Sequence, residues 1–233
     1  MTVFALARAQ VQDIVRNPML LFFFATAVVM GGLLKATMPA SARDIMASAV
    51  FTATAYFVGW NIPAFTLAEE KEKRQLEALF LTPVRPWQVI LVKGVLGLVG
   101  SLVFGAFMFL ILDQVPRRPL LWLTAYTVLS LFTVGLGVLL GLLVRDTRSL
   151  GLGGTPVILL LMTATTLPWA LVQPRVWALQ AWLPTRPAVE LLTAGLTGEA
   201  VPVMRNLLVM LAYTALMWLV NARLIRRLSF ARN

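Results

Sequence analysis

Six stretches of this 233-residue chain are apolar for longer than a soluble core helix requires, and almost free of charge. They cover approximately 19–38, 45–68, 89–112, 120–144, 150–172 and 206–222. A helix needs about 20 mostly apolar residues, within a range of about 17–25, to cross a bilayer core about 30 Å thick. The pattern predicts an all-α membrane protein of six transmembrane helices forming one domain, with 206–222 as the shortest span.

The composition agrees: 59% of residues are apolar and 13% charged, against about 45–50% and about 25% in soluble domains. The chain contains neither cysteine nor histidine. That removes disulfides, thiolate chemistry, the usual zinc sites and imidazole acid–base catalysis, so no catalytic or metal-binding residue is assigned. The formal charge is +10. A nucleic-acid reader gathers its basic residues on one water-facing surface, whereas here they are spread between apolar runs. Membrane lipid, not nucleic acid, is the expected partner of this charge.

The six-span layout sets orientation. Arg8, Arg16, Lys71, Lys73, Arg74, Arg85, Lys93, Arg145, Arg148, Arg223, Arg226, Arg227 and Arg232 fall on one side. Lys35, Arg43, Arg117, Arg118, Arg175, Arg186 and Arg205 fall on the other. The positive-inside bias places the richer side, with both termini, in the cytoplasm. Lys35 and Lys93 lie near span ends and are expected to snorkel to the interface.

Ahead of the first span, residues 1–17 carry Val3, Ala7, Val11 and Ile14 or Val15 at helical spacing, with Arg8, Gln12, Asp13 and Arg16 on the other face. This predicts an amphipathic helix on the membrane surface. No small-residue cleavage site closes the following apolar run, so a removable signal peptide is not expected. Between the last two spans, 173–205 is apolar but interrupted by Arg186, Glu190, Glu199 and prolines 184, 187 and 202. It is too broken to cross and is expected to dip in and return on the extracytoplasmic side; an amphipathic loop resting on headgroups is the alternative.

The segment 68–94 carries the most information. Glu69 with Lys73 and Glu70 with Arg74 stand four apart in the favourable order, continuing the second span as a helix beyond the membrane. Leu76, Leu79 and Phe80 then form an apolar ridge that ends before Pro83, because the residue preceding a proline, Thr82, is biased away from helix. Pro86 is placed to open the next helix. The ridge needs cover, either from the protein's own loops or from a separate subunit.

Glu69, Glu70, the run LEALFLTPV at 76–84 and Trp87 resemble the first cytoplasmic loop of ABC transporter permeases of the type-2 exporter class. The order of an amphipathic opening helix, six spans, a broken connector and a basic tail is similar to that family along nearly the whole chain. The resemblance implies that the loop at 68–88 is a coupling helix contacting the ATP-hydrolysing subunit through Glu69, Glu70, Leu76, Glu77, Leu79, Phe80, Thr82 and Pro83. It also implies a dimer with an identical or homologous second permease, and two ATPase subunits that bind ATP and Mg. The location implied is a prokaryotic plasma (inner) membrane.

The chain itself needs no cofactor in this reading. A phosphate-binding loop requires Gly-Lys before Ser or Thr, and none of lysines 35, 71, 73 and 93 follows a glycine. GLGGTP at 151–156 is expected to allow close helix approach at the start of the fifth span.

Phe57, Asn61 and Phe65 share a stripe of the second span, where Pro63 weakens the backbone. With Met162 and Thr166 of the fifth span they are candidates for the substrate path, against an ordinary packing role with Asn61 in an interhelical hydrogen bond. The family resemblance sets these two spans along the translocation path. No uncompensated acid lies mid-span, which argues against a proton- or sodium-coupled carrier. The sequence therefore points to an ATP-driven exporter subunit for an apolar, amphiphilic or lipid-like molecule. A haem-export-type permease of cytochrome maturation, or a passive channel or scaffold, are the alternatives.

Overall fold

A computed structural model describes residues 3–37, 39, 43–75, 86–166 and 183–230. Among them it is helical throughout its regular structure, with no strand. The helices are α1 (Val3–Arg16), α2 (Pro18–Thr37), α3 (Arg43–Thr54), a π-helical segment (Ala55–Trp60), α4 (Asn61–Glu72), α5 (Pro86–Leu112), α6 (Pro119–Leu143), α7 (Thr147–Thr166), α8 (Thr185–Thr197) and α9 (Val203–Phe230).

Helix starts follow local chemistry. The Asn17 side-chain oxygen accepts from the backbone N–H groups of Met19 (3.0 Å) and Leu20 (3.3 Å), and Pro18, which lacks an N–H, occupies the first helical position. Pro86 and Pro119 open α5 and α6. Asp146 Oδ1 accepts from the Ser149 N–H at 2.6 Å at the start of α7. At the other end of α8, Gly198 takes the left-handed conformation (φ 81°) and its N–H returns to the Ala194 carbonyl at 2.9 Å.

Among the described residues, four helices are long and apolar enough to cross a membrane: α2, α5, α6 and the Val203–Arg226 part of α9. The expected final span at 206–222 is thus the longest helix described, because the basic residues after it continue the same helix. The second expected span is one continuous helical rod from α3 through α4, interrupted by the π segment just before Pro63. A proline removes the N–H that would complete the preceding turn, a recognised cause of local widening and kinking. In the region of the fifth expected span, the Thr147–Leu161 stretch of α7 is a shorter apolar helix.

The rod lies at the centre: Phe51, Ala55, Tyr56, Val58, Ala64, Leu67 and Ala68 are fully buried. It packs on α6, whose apolar span is 67% buried, against 17–28% for the other three. Those three present exposed stripes, such as Val95, Val99 and Val103 on α5 and Leu208, Leu211 and Leu219 on α9. Exposed apolar surface on this scale is what lipid covers.

Backbones approach closely where α6 meets the rod. A Cβ at Gly137 would stand 2.3 Å from the Trp60 carbonyl oxygen. In the glycine-rich start of α7 only Gly154 plays the expected packing role, against Trp60; Gly151 and Gly153 face open space. On the far side of α6, α9 is held by Trp218 and Asn221, which donate to the carbonyls of Leu131 (3.1 Å) and Gly135 (2.8 Å).

Part of the interrupted connector is the helix α8, buried through Pro187, Leu191, Leu192 and Ala194. Pro184 and Pro187 interrupt nothing, because they fall at the cap and first turn, where no intrahelical N–H is needed. Thr193 bonds Ser48 of α3 at 2.8 Å, and Glu190 accepts from Asn206 of α9 at 2.8 Å while pairing with Arg186. The expectations for 76–85, and for the connector before residue 183, lie outside the described residues.

Candidate functional site

Four consecutive charged residues end the central rod. Successive residues of an α-helix point about 100° apart, so Glu69, Lys71, Glu72 and the inward-facing Glu70 reach four different neighbours.

Glu70 is buried and its Oε1 receives the Lys93 ammonium of α5 at 2.9 Å. Gln10 of α1 closes the group: its Nε2 donates to Glu70 Oε1 at 2.6 Å, and its Oε1 accepts from Lys93 Nζ at 2.9 Å. Lys93 is only 1% exposed. The expected snorkelling is therefore replaced by a buried ion pair, because an acid and an amide on adjacent helices stand within hydrogen-bond reach of the ammonium. On the same helices, Ala7 of α1, Leu67 of α4 and Val89 of α5 join Val138 and Ile225 in an apolar cluster separate from the main core.

Glu69 accepts from Asn17 Nδ2 at 2.8 Å, tying the rod to the α1–α2 junction, and from Lys73 at 2.6 Å. Lys71 donates to the carbonyls of Leu142 and of Val144, the latter at 2.9 Å. These are orphan acceptors at the end of α6, where a cation also complements the helix dipole. Partial burial pushes the Lys71 ammonium below the usual lysine range. Glu72 accepts from the Thr147 hydroxyl at 2.7 Å and its N–H at 3.2 Å, holding the first turn of α7. The N–H of Ser149 keeps the neighbouring Asp146 carboxyl below its usual range.

A cleft of about 500 Å³ opens between α1, the end of the rod and the start of α7, lined in part by Asp13, Asn17, Phe65, Glu69, Glu70 and Thr147. On α1 itself the packed face carries Ala7, Gln10 and Ile14, while Val11 (45%) and Val15 (62%) are exposed. The periodicity groups Val3, Ala7, Val11 and Ile14 or Val15 on one face. The buried hydrogen-bonding demand of Lys93 and Glu70 turns Gln10 inward instead, leaving the valines outward.

Of the residues expected to contact an ATPase, Glu69 and Glu70 make the intramolecular bonds above; Leu76, Glu77, Leu79, Phe80, Thr82 and Pro83 lie outside the described residues. Of the path candidates, Phe57 and Phe65 converge on Phe23 of α2, with ring centroids 6.4 Å and 5.3 Å away. Asn61 is buried and donates to the Phe57 carbonyl of its own helix at 2.7 Å, in place of an interhelical bond, and its Oδ1 has no partner. Met162 and Thr166 lie on α7, with their side chains outside the described set. Sequence reasoning missed Gln10, Phe23, Lys93 and the anchoring roles of Lys71 and Glu72. A lone lysine in the apolar helix that follows the acidic pair is a usable signal, since an intramembrane charge ordinarily has a partner in space.

Residues 34–223, most of the chain, match the model of a known family described as ABC-2 family transporter protein. No curated protein matches the chain significantly.

Proposed function

The chain belongs to the ABC-2 transporter family, whose members are membrane permeases that act with an ABC ATPase subunit, and from that premise we propose that it is the six-span transmembrane subunit of an ATP-driven exporter. Two permeases and two ATPases form the working unit in a prokaryotic plasma membrane. The substrate is an apolar or amphiphilic, lipid-like molecule.

The observation that carries this reading is the anchoring of α4. The segment 76–85, proposed to dock on the ATPase, follows a helix end bonded to α1, the α2 junction, α5, α6 and α7. Closure of the ATPases on ATP displaces the ridge around Leu76, Leu79 and Phe80. The last turn of α4 distributes that displacement to the helices it holds, with Glu69 and Glu70 joining the loop to the bundle. The six-span layout, with 68–88 inside and the re-entrant connector 173–205 outside, is favoured by the meeting of Ala7, Leu67, Val89, Leu142 and Ile225 in one cluster. The starts and ends of the crossing helices thereby gather at one end of the bundle.

The Phe57, Asn61 and Phe65 stripe, taken together with Met162 and Thr166 of the fifth span, offers aromatic, thioether and neutral polar groups suited to an amphiphile. Reconstitution tests the reading. The permease alone should hydrolyse no ATP, and with its ATPase partner hydrolysis should rise with substrate hydrophobicity. That stimulation should fall in a Phe57→Ala, Asn61→Ala variant that still assembles. Stimulation by hydrophilic polyanions alone, unchanged in the variant, would refute the substrate class and the lining.

A further inference from the structure

We propose that Glu70, Lys93 and Gln10 form a positioning element that makes α1, α4 and α5 turn as one body, and that this orientation, rather than stability, is what the buried charges supply. The inference rests on the transporter reading and names a device within it.

Each of three helices gives one buried polar side chain to a closed set of contacts at 2.6–2.9 Å, with Gln10 and Glu70 at the wall of the cleft and Lys93 behind them. Removing two charges from water costs several kcal/mol per ion, and a well-packed apolar pair of similar volume is often as stable or more so. Apolar contacts such as Ala7 against the apolar cluster tolerate sliding and rotation. The polar trio does not, because both ends of the Gln10 amide are engaged. Turning α1 by one residue, about 100°, would take away the amide and leave Lys93 with Glu70 alone of its two bonded partners. The trio thus fixes the rotation of α1 on the two helices that flank the 76–85 segment in sequence. Glu70 and Lys93 fall within the family match and Gln10 before it.

Three variants separate orientation from stability: the apolar pair Glu70→Met with Lys93→Met, the charge swap Glu70→Lys with Lys93→Glu, and the swap combined with Gln10→Leu. Thermal unfolding and transport per ATP hydrolysed are measured for each. On the permease alone in nanodiscs, pulsed EPR reads the distance between spin labels at the exposed positions Val11 and Val99. The apolar pair should unfold no earlier than wild type, yet show a broadened label distance and transport per ATP lower by about tenfold, within the range of ordinary coupling effects. The swap should restore both, since the Gln10 amide can reverse its donor and acceptor. The added Gln10→Leu should abolish that rescue. Wild-type transport and a narrow distance in the apolar pair would overturn the proposal, as would transport loss that simply follows lost stability. A wild-type chain with no partner-dependent hydrolysis would sink the transporter reading instead, and the EPR distances alone would then decide this one.

Discussion

Gly137→Ala places one methyl group where the central rod leaves no room. The new Cβ would lie 2.3 Å from the Trp60 carbonyl oxygen, 2.9 Å from Pro63 Cγ and 3.0 Å from Trp60 Cα. Two of these atoms are backbone, so no rotamer change relieves the clash, and α6 must move away from the rod at the end of the π segment. Overpacking of this kind costs about 1–3 kcal/mol, and the backbone obstacle argues for the upper part. Gly153→Ala on α7 is the control, because nothing lies within 4 Å of its Cβ. There the substitution gains helix propensity of about 0.5–1 kcal/mol. The assay is thermal unfolding of both variants, purified in one detergent. Gly137→Ala should melt several degrees below wild type, using the rough scale of about 2–4 °C per kcal/mol for chains of this size, and Gly153→Ala at or slightly above it. Equal stability of the two variants, or the reverse order, would refute the close approach of α6 to the rod.

Lys71→Met keeps the aliphatic stem but removes the two hydrogen bonds to the end of α6. For a half-exposed group it should cost about 1 kcal/mol, read as a lower unfolding midpoint. The Asp146 carboxyl is held below its ordinary value by the Ser149 N–H, so its contribution is complete above about pH 4 and is lost as pH falls through the lower folded value. Protection of the Ser149 amide, taken as its exchange rate relative to that of an unstructured amide at the same pH, should fall over that acid interval, and protection that does not change with pH would show that the cap is absent. The cysteine-free chain makes topology direct: single cysteines at Gln75 and Thr197 should react with an impermeant thiol reagent from opposite sides. Labelling of both from outside intact cells would rule out the six-span layout.

The parts of the fold legible in the sequence are those governed by local chemistry. Asn17 followed by Pro18, together with Pro86 and Pro119, marks helix starts because caps and missing N–H groups act within a single turn. The uncharged runs of α2, α5 and α6 are legible because the bilayer sets their length. Less legible is anything decided by a partner far along the chain. Lys93 looks like a snorkelling residue until Glu70 and Gln10, 23 and 83 positions away, are packed beside it. The outward turn of Val11 follows from the same contact. Pro63 hinted at a weakened backbone, but not that it would be preceded by six π-helical residues. In α8, prolines that read as breaks proved to be a cap and a first-turn residue. The Glu69–Lys73 pair is legible from its spacing of four, whereas the bonds of the acidic pair to Asn17, Gln10 and Lys93 emerge only from the packing.

The central claim is that a separate ATPase drives this permease through the loop after α4. A single cysteine at Leu79, in a chain with no other, can carry a short photo-activated cross-linker in native membranes. The account predicts an adduct with an ATP-hydrolysing subunit whose yield changes when ATP is trapped, and no such adduct from Thr197. Cross-links from Leu79 that stay within the permease, or that capture no ATPase in any nucleotide state, would contradict it.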